Sequence, residues 1–174
     1  HAYSLTHDDL PCMDDDAIRR GRPSAHIQFD EAKALLAGDA LLTDAFALIS
    51  NTEDFEKSPI FDRQKLLIIR ELTHASGGLQ MVAGQYEDLY PPTEYSLENL
   101  LKIHSKKTGA LIAASCVCGV YASKSSDSHE LISSARGFGQ LMGVAFQVQD
   151  DLIDHLPTSG KTPNKDREQN KMSI

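Results

Sequence analysis

Apolar residues recur along most of the chain at the three- and four-residue spacing of an amphipathic helix. This pattern predicts four helices, over 30–49, 61–85, 97–121 and 131–148. The first is dense in Ala and Leu and leaves little polar face, which predicts a central, buried helix. No segment alternates apolar and polar residues as a half-buried strand does, so the predicted fold class is all-α.

Glycine, proline and polar residues interrupt this helical pattern at a few places. Gly77-Gly78 and Gly84 weaken the second half of the helix over 61–85 or admit a close neighbour. Pro91-Pro92 breaks the chain, and Ser123 to Ser128 is a polar turn. We therefore expect helix ends or close helix contacts at these positions.

The length and composition fit one domain. The chain has 174 residues, 41% of them hydrophobic, so we expect a single all-α domain over 1–174. No apolar run reaches the length of a membrane span and no secretory signal is visible, which predicts a cytoplasmic protein. His1 stands seven residues before an acidic cluster and the chain closes on the start of another helix. We therefore expect a fragment that lacks helices at both ends.

The net charge of −8 lies mostly in two acidic clusters. Without a basic stripe to neutralise phosphates, a nucleic-acid partner is not expected. Each cluster adjoins a strongly apolar helix. The clusters hold eight of the 25 acidic residues: Asp8, Asp9, Asp14, Asp15, Asp16, Asp150, Asp151 and Asp154.

Both clusters have the chemistry of a magnesium site. The five carboxylates between Asp8 and Asp16 repel one another unless a cation is present, and oxygen-only ligands favour Mg²⁺. Pro11 should distort the local helix there. In the second cluster Gln147, Asp150 and Asp154 share one helix face. The alternative is that each cluster is a solvated acidic helix end.

These residues form a set of motifs that resembles the trans-prenyl diphosphate synthases, in the same order and over essentially the whole chain. The resemblance implies an antiparallel helical bundle of the isoprenoid synthase type around a central apolar cavity, and a homodimer. The motifs are Asp8-Asp9-(x)4-Asp14 with Arg19-Arg20-Gly21-Arg22-Pro23, Lys107-Thr108-Gly109, Phe146-Gln147-(x)2-Asp150-Asp151-(x)2-Asp154, and the basic segment with Gly160-Lys161, Lys165-Asp166 and Asn170-Lys171.

The resemblance also implies the role of each matching residue. Lys107, Thr108 and Gln147 are expected to be catalytic, and His1 with Arg20 to bind isopentenyl diphosphate. About three Mg²⁺ ions would be held by Asp8, Asp14, Asp150 and Asp154. The allylic diphosphate would be bound by Arg19, Lys107, Thr108, Gln147, Lys161 and Lys171, the last two on a flap over 157–171 that closes the site.

The implied reaction joins isopentenyl diphosphate to dimethylallyl or geranyl diphosphate. Tyr3 and Ser4 stand where this family forms the cavity floor, and the bulk of Tyr3 favours a farnesyl product. Geranylgeranyl or geranyl diphosphate remain alternative products. A non-catalytic regulatory subunit and a terpene cyclase are alternatives of other kinds, although the second motif is not that of a cyclase. The family's upstream glycine-lysine-arginine segment is absent from this sequence.

Overall fold

The computed structural model describes residues 1–51, 60–91 and 96–154, apart from the side chain of Asp154. The chain divides into two compact units, 1–51 and 52–174, and each is described separately. In none of the described ranges is a helix both long and apolar enough for a bilayer. The described helices are α1 Ala2–Asp8, α2 Ala25–Gln28, α3 Glu31–Ser50, α4 Asp62–Ser76, α5 Met81–Leu89, α6 Leu97–His104, α7 Ala110–Tyr121 and α8 His129–Asp154.

In the first unit, α1 and α2 both pack against α3. The Asp30 carboxylate caps the start of α3 by accepting a hydrogen bond from the Lys33 amide at 2.7 Å. Gly38 lets α1 approach α3 closely, because a Cβ there would stand 2.0 Å from Nε2 of His7. That His7 nitrogen lies 2.9 Å from the Leu35 carbonyl oxygen. The end of α1 that carries Asp8 is therefore held against α3.

The predicted helix over 30–49 is confirmed, whereas its burial is wrong for the residues that the structure describes. Only Ala34 and Gly38 of α3 are buried, while Leu36 and Leu48 are more than 60% exposed. The reason is that, within its unit, the elements that pack most on α3 are α1 and α2, and both are short. An apolar composition predicts that a helix packs against other segments, but it does not identify those segments.

A short hairpin between α1 and α2 departs from the strand-free prediction. Strands β1 (Ile18–Arg19) and β2 (Arg22–Pro23) pair antiparallel, with Arg19 opposite Arg22. Arg20 and Gly21 form the tip, with φ values of 54° and 75°. A two-residue turn with both φ values positive matches the twist of a hairpin. Two residues per strand are too few to show alternation, and the fold class stays all-α.

The second unit follows the predicted helical order. The single helix predicted over 61–85 is wrong: α4 ends at Ser76 and α5 begins at Met81, with Gly77-Gly78 in the break between them. The predicted polar turn links α7 to α8. α7 packs on α8 and on α4, and its small residues Ala113 and Ala114 are fully or almost fully buried. Small side chains on α7 let its two neighbours approach closely.

The continuous helix predicted over 97–121 carries a π-helical turn over Ser105–Gly109, between α6 and α7. Such turns insert an extra residue and often occur at functional sites. Glycines surround it: a Cβ on Gly84 of α5 would stand 2.3 Å from the Lys107 nitrogen, and one on Gly143 of α8 would stand 2.4 Å from the Gly109 Cα. The predicted close neighbour of Gly84 is thus confirmed. The turn that carries Lys107 and Thr108 is packed between α5 and α8.

Candidate active site

The first acidic cluster begins where α1 ends and continues as a compact loop. The Asp14 amide donates to the Asp8 carbonyl at 2.8 Å, and the Asp16 amide donates to the Asp9 carbonyl at 3.2 Å. The expected distortion around Pro11 is confirmed, because the helix stops at Asp8 and turns follow. A regular helix would aim residues six apart in different directions. The loop instead brings the backbones of Asp8 and Asp14 side by side.

Asp9 is buried and pairs with Arg19, which the sequence had assigned to the allylic diphosphate. Nε of Arg19 donates to Oδ1 of Asp9 at 2.9 Å, and Nη2 donates to the same oxygen. Asp9 is only 3% exposed. Nη2 also lies 4.0 Å from Oδ2 of Asp8, so Arg19 places a fixed positive charge against the cluster. Burial alone would lower the pKa of Arg19, but its bonds to Asp9 and the charges of Asp9, Asp8 and Asp16 outweigh burial and raise it.

A buried histidine lies beside the same loop. Nδ1 of His26 is 3.1 Å from the Ser24 hydroxyl, and both residues are buried. Nε2 of His26 lies 3.8 Å from Oδ1 of Asp15, which has a φ of 50°. The His26 ring thus connects the start of α2 to the strained part of the acidic loop.

The remaining predicted residues of the first unit lie on α1 and at the hairpin tip. Tyr3 is 8% exposed, and its ring meets that of His7 edge to face, with centroids 6.3 Å apart. The Ser4 hydroxyl donates to the carbonyl of His1, which itself is exposed. Arg20 holds the left-handed position of the hairpin. Their proposed roles at the cavity floor and with isopentenyl diphosphate stay predictions.

In the second unit, two carboxylates of α5 hold the two lysines of the π-helical turn. Nζ of Lys107 lies 2.7 Å from Oδ2 of Asp88, and both side chains are less than 20% exposed. Nζ of Lys106 lies 2.5 Å from Oε1 of Glu87. Lys107 is therefore a positioned cation rather than a freely moving surface lysine.

Thr108 and Gln147, predicted from two separate motifs, meet in the structure. The Thr108 hydroxyl donates to Oε1 of Gln147 at 3.0 Å. Nε2 of Gln147 donates to Oδ1 of Asp151 at 3.2 Å, and Oδ2 of Asp151 faces Nε2 of His104 at 3.6 Å. Burial lowers the pKa of His104, although the charges of Asp151 and Asp88 oppose that effect. Polar groups from α6, the π-helical turn and α8 therefore converge on one place.

Asp150 lies on α8 one turn after Gln147 and is partly exposed, unlike its buried neighbour Asp151. The backbone remains helical through Asp154, so the predicted four-residue spacing is confirmed at the backbone level. The side chain of Asp154, and Lys161 and Lys171 with the predicted flap, lie outside the described residues.

The donors fit Mg²⁺ shared with a substrate better than a protein-only metal cage. Within the described residues, no three His, Cys, Asp or Glu side chains converge as ligands of one ion. Mg²⁺ is usually bound by one or two carboxylates together with phosphate oxygens and water. The adjacent Asp8 and Asp14, and separately Asp150, are oxygen donors of that kind.

The contacts of four residues near these sites were not predicted from the sequence. Asp9 belongs to the first motif and Asp88 to no motif, and nothing in the pattern marks either as the partner of Arg19 or of Lys107. Asp151 did carry a signal, since it is one i,i+4 step after Gln147. His104 stands three residues before Lys107, but only the structure shows that its Nε2 faces Oδ2 of Asp151 at 3.6 Å.

Comparison with known proteins assigns the chain to a family. It matches the polyprenyl synthetase family over residues 1–174. The chain belongs to that family. This polyprenyl synthetase chain is 46% identical to the farnesyl diphosphate synthase of Haemophilus influenzae over 155 residues, covering 88% of this chain and 51% of that protein. It is 42% identical to the Escherichia coli farnesyl diphosphate synthase over 175 residues, covering 98% of this chain and 57% of that protein.

A solved structure supports the fold of this polyprenyl synthetase chain. The geranyltransferase of Helicobacter pylori, complexed with magnesium and isoprenyl diphosphate, matches with a TM-score of 0.86 and 39% identity. The match covers 100% of this chain and 56% of that one. The predicted all-α isoprenoid synthase fold is thereby confirmed. The chain spans about half the length of the curated relatives it matches.

Proposed function

We propose that the full-length protein is a farnesyl diphosphate synthase that condenses isopentenyl diphosphate with dimethylallyl or geranyl diphosphate. The observation that carries this proposal is the meeting of Thr108 with Gln147 beside the anchored Lys107, one helical turn before Asp150. A reaction through an allylic cation needs oriented dipoles next to a group that binds the departing diphosphate. The bacterial relatives that are 42% to 46% identical bear the corresponding name.

By family resemblance, about three Mg²⁺ ions would be held by Asp8, Asp14, Asp150 and Asp154. Bound Mg²⁺ supplies Lewis-acid stabilisation of the negative charge on the leaving diphosphate. The fit is one of donor chemistry, because these groups are all carboxylates, and Asp8 and Asp14 share a backbone hydrogen bond of 2.8 Å.

The chain's own cations bind and orient the allylic diphosphate. Lys107, held at 2.7 Å by Asp88, offers N–H donors to the diphosphate oxygens, and Arg19 does so from its place beside Asp9. Lys161 and Lys171 would add two further donors when the segment over 157–171 closes over the site. Closure also excludes water, which would otherwise capture the allylic cation.

The bond changes balance without any further reagent. The allylic C–O bond breaks and diphosphate leaves with the electron pair, while the Thr108 and Gln147 dipoles face the positive charge. The double bond of isopentenyl diphosphate, held by His1 and Arg20, then attacks the allylic carbon and forms the new C–C bond. One proton then passes from the new cation to the departed diphosphate, and its C–H electron pair forms the alkene. Tyr3 and Ser4 form the floor that stops growth at fifteen carbons, in a cytoplasmic homodimer.

The test is incubation of the full-length protein with dimethylallyl diphosphate, isopentenyl diphosphate and Mg²⁺, followed by mass analysis of the dephosphorylated products. We expect a fifteen-carbon alcohol, and no product when isopentenyl diphosphate is omitted. A cyclic hydrocarbon formed from the allylic diphosphate alone would contradict chain elongation. A twenty-carbon product would keep the prenyl transfer and overturn the farnesyl assignment.

A further inference from the structure

A line of polar groups leads from Thr108 through Gln147 to the buried residues Asp151 and His104. It passes from Thr108 to Gln147 at 3.0 Å, from Gln147 to Asp151 at 3.2 Å, and from Asp151 to His104 at 3.6 Å. Asp151 and His104 are only 3% and 2% exposed. Buried polar groups are costly unless they are paired, so a carboxylate and an imidazole in this place need a reason.

Asp151 determines which way the Gln147 amide faces. An amide can present either its oxygen or its NH₂ group to a neighbour. A carboxylate only accepts hydrogen bonds, so the NH₂ group of Gln147 must face Asp151 and the Oε1 atom must face Thr108. The single hydroxyl proton of Thr108 is then committed to Gln147.

The orientation of that proton sets the polarity of Thr108. With the proton directed to Gln147, the other side of Oγ1 carries lone pairs, the negative end of the hydroxyl dipole. If the amide were reversed, its NH₂ group would donate to Oγ1 and the hydroxyl proton would point elsewhere. The first arrangement stabilises a nearby positive charge, and the second opposes it.

We propose that Asp151 and His104 are positioning residues that hold the Thr108–Gln147 pair in the polarity that stabilises an allylic cation. The inference rests on the prenyl transfer proposed above and concerns residues to which no role has been assigned there. Asp151 acts through Gln147, and His104 acts by presenting Nε2 to the second carboxylate oxygen, so that Asp151 faces inward.

The contrast between Asp150 and Asp151 supports different roles for the two residues, metal binding for Asp150 and positioning for Asp151. The two aspartates are adjacent in one motif, yet Asp151 is 3% exposed with one oxygen bonded to Gln147 and the other facing His104. Asp150 is partly exposed on the same helix. Successive residues of a helix point about 100° apart, so the two carboxylates have different surroundings, the first partly exposed and the second buried.

The decisive variant is Asp151→Asn, which keeps the size of the side chain but adds a hydrogen-bond donor. Because the new side chain can donate as well as accept, it no longer fixes the orientation of the Gln147 amide. Substituting a group that orients a reacting residue typically lowers activity about 10- to 100-fold. We expect kcat to fall by that factor. We expect KM for each diphosphate to change less than about threefold. A merely structural role would not produce this split.

A second measurement reports on the cation itself. Fluorine on the allylic diphosphate withdraws electrons and slows ionisation, so the ratio of kcat for the plain and the fluorinated substrate measures how well the site stabilises positive charge. We expect Asp151→Asn to increase that ratio several-fold. His104→Leu should shift it in the same direction, and His104→Gln, which keeps an N–H donor, should restore part of the loss.

Glu71→Gln is the matched control. Glu71 is another buried carboxylate that holds α8, through Arg136 at 2.9 Å, and it does not touch Thr108 or Gln147. We expect Glu71→Gln to lower the unfolding temperature while leaving kcat and the fluorine ratio within about twofold of the unaltered protein. The helical signal of each variant is recorded by circular dichroism, and His104→Leu provides the second test if Asp151→Asn does not fold.

The outcomes separate this inference from the proposed function. If the unaltered protein makes no prenyl product, the proposed function fails and takes the inference with it. If the unaltered protein is active and Asp151→Asn and His104→Leu keep its kcat and fluorine ratio, the positioning role is overturned while prenyl transfer stands. Equal losses in the Glu71→Gln control would also overturn it.

Discussion

Gly84→Ala is expected to disable the site by displacing the π-helical turn. A Cβ at this position would stand 2.3 Å from the Lys107 nitrogen, 2.7 Å from its Cα and 2.8 Å from the carbonyl carbon of Lys106. All three contacts are with backbone atoms, so no side chain can rotate away. To reach an ordinary separation of about 3.5 Å, α5 and the turn must move apart by about 1 Å.

The energy and the activity should both change. Overpacking of this kind costs about 1–3 kcal/mol of unfolding free energy, which equals or exceeds the gain of about 1 kcal/mol that Ala usually brings to a helix. The same shift would separate Lys107 from Asp88, now 2.7 Å apart. Because a misplacement of about 1 Å near reacting groups can cost about 100-fold, we expect a fall in kcat approaching that size.

Gly137→Ala provides the matched control for this prediction. Gly137 lies inside α8, and a Cβ there would meet nothing within 4 Å. It should stabilise the protein by about 0.5–1 kcal/mol and leave turnover unchanged. The comparison uses urea unfolding and steady-state kinetics of both variants. If Gly84→Ala stabilises the protein as Gly137→Ala does and keeps the original kcat, the close approach of α5 to the turn has been misjudged.

Three further substitutions test other parts of the account. Asp9→Ala leaves the half-buried Arg19 without its carboxylate partner and should lower the unfolding free energy, measured by urea titration, by about 2–4 kcal/mol. A loss below about 0.5 kcal/mol would show that the pair does not stabilise the fold. Tyr3→Ala should give products longer than fifteen carbons by mass analysis, and an unchanged chain length would remove Tyr3 from the floor. Lys171→Ala should raise KM for the allylic diphosphate because one phosphate donor is lost, and an unchanged KM would count against a closing segment.

Helical periodicity predicted most of the described fold because it depends on local sequence. The helices over 30–49, 97–121 and 131–148 are all visible as apolar repeats. Gly77-Gly78, predicted to weaken the helix over 61–85, divide it into two helices. The π-helical turn over Ser105–Gly109 was not predictable in this way. It lies within a continuous apolar repeat, and Gly84 and Gly143 approach it from helices that are distant in sequence.

The candidate site was predicted in part for the same reason. The motifs identified Lys107, Thr108 and Gln147, and the spacing of Gln147 and Asp150 followed from a regular helix. The sequence does not distinguish the roles of adjacent aspartates. Asp8 and Asp9 have the same side chain, and so do Asp150 and Asp151. Burial distinguishes them, and it is set by tertiary packing. Asp9, at the end of α1, meets Arg19 of β1, and Asp151 meets Gln147 and His104 inside the second unit.

Both acidic clusters are proposed to bind one allylic diphosphate through Mg²⁺. Calorimetric titration of the full-length protein with a non-ionising thiolo analogue of an allylic diphosphate tests this proposal directly, with Mg²⁺ and with a chelator. We expect binding that requires Mg²⁺ and is weakened at least about tenfold by either Asp8→Asn or Asp150→Asn alone. Binding of equal strength in the chelator, or binding that survives either substitution unchanged, would contradict the account.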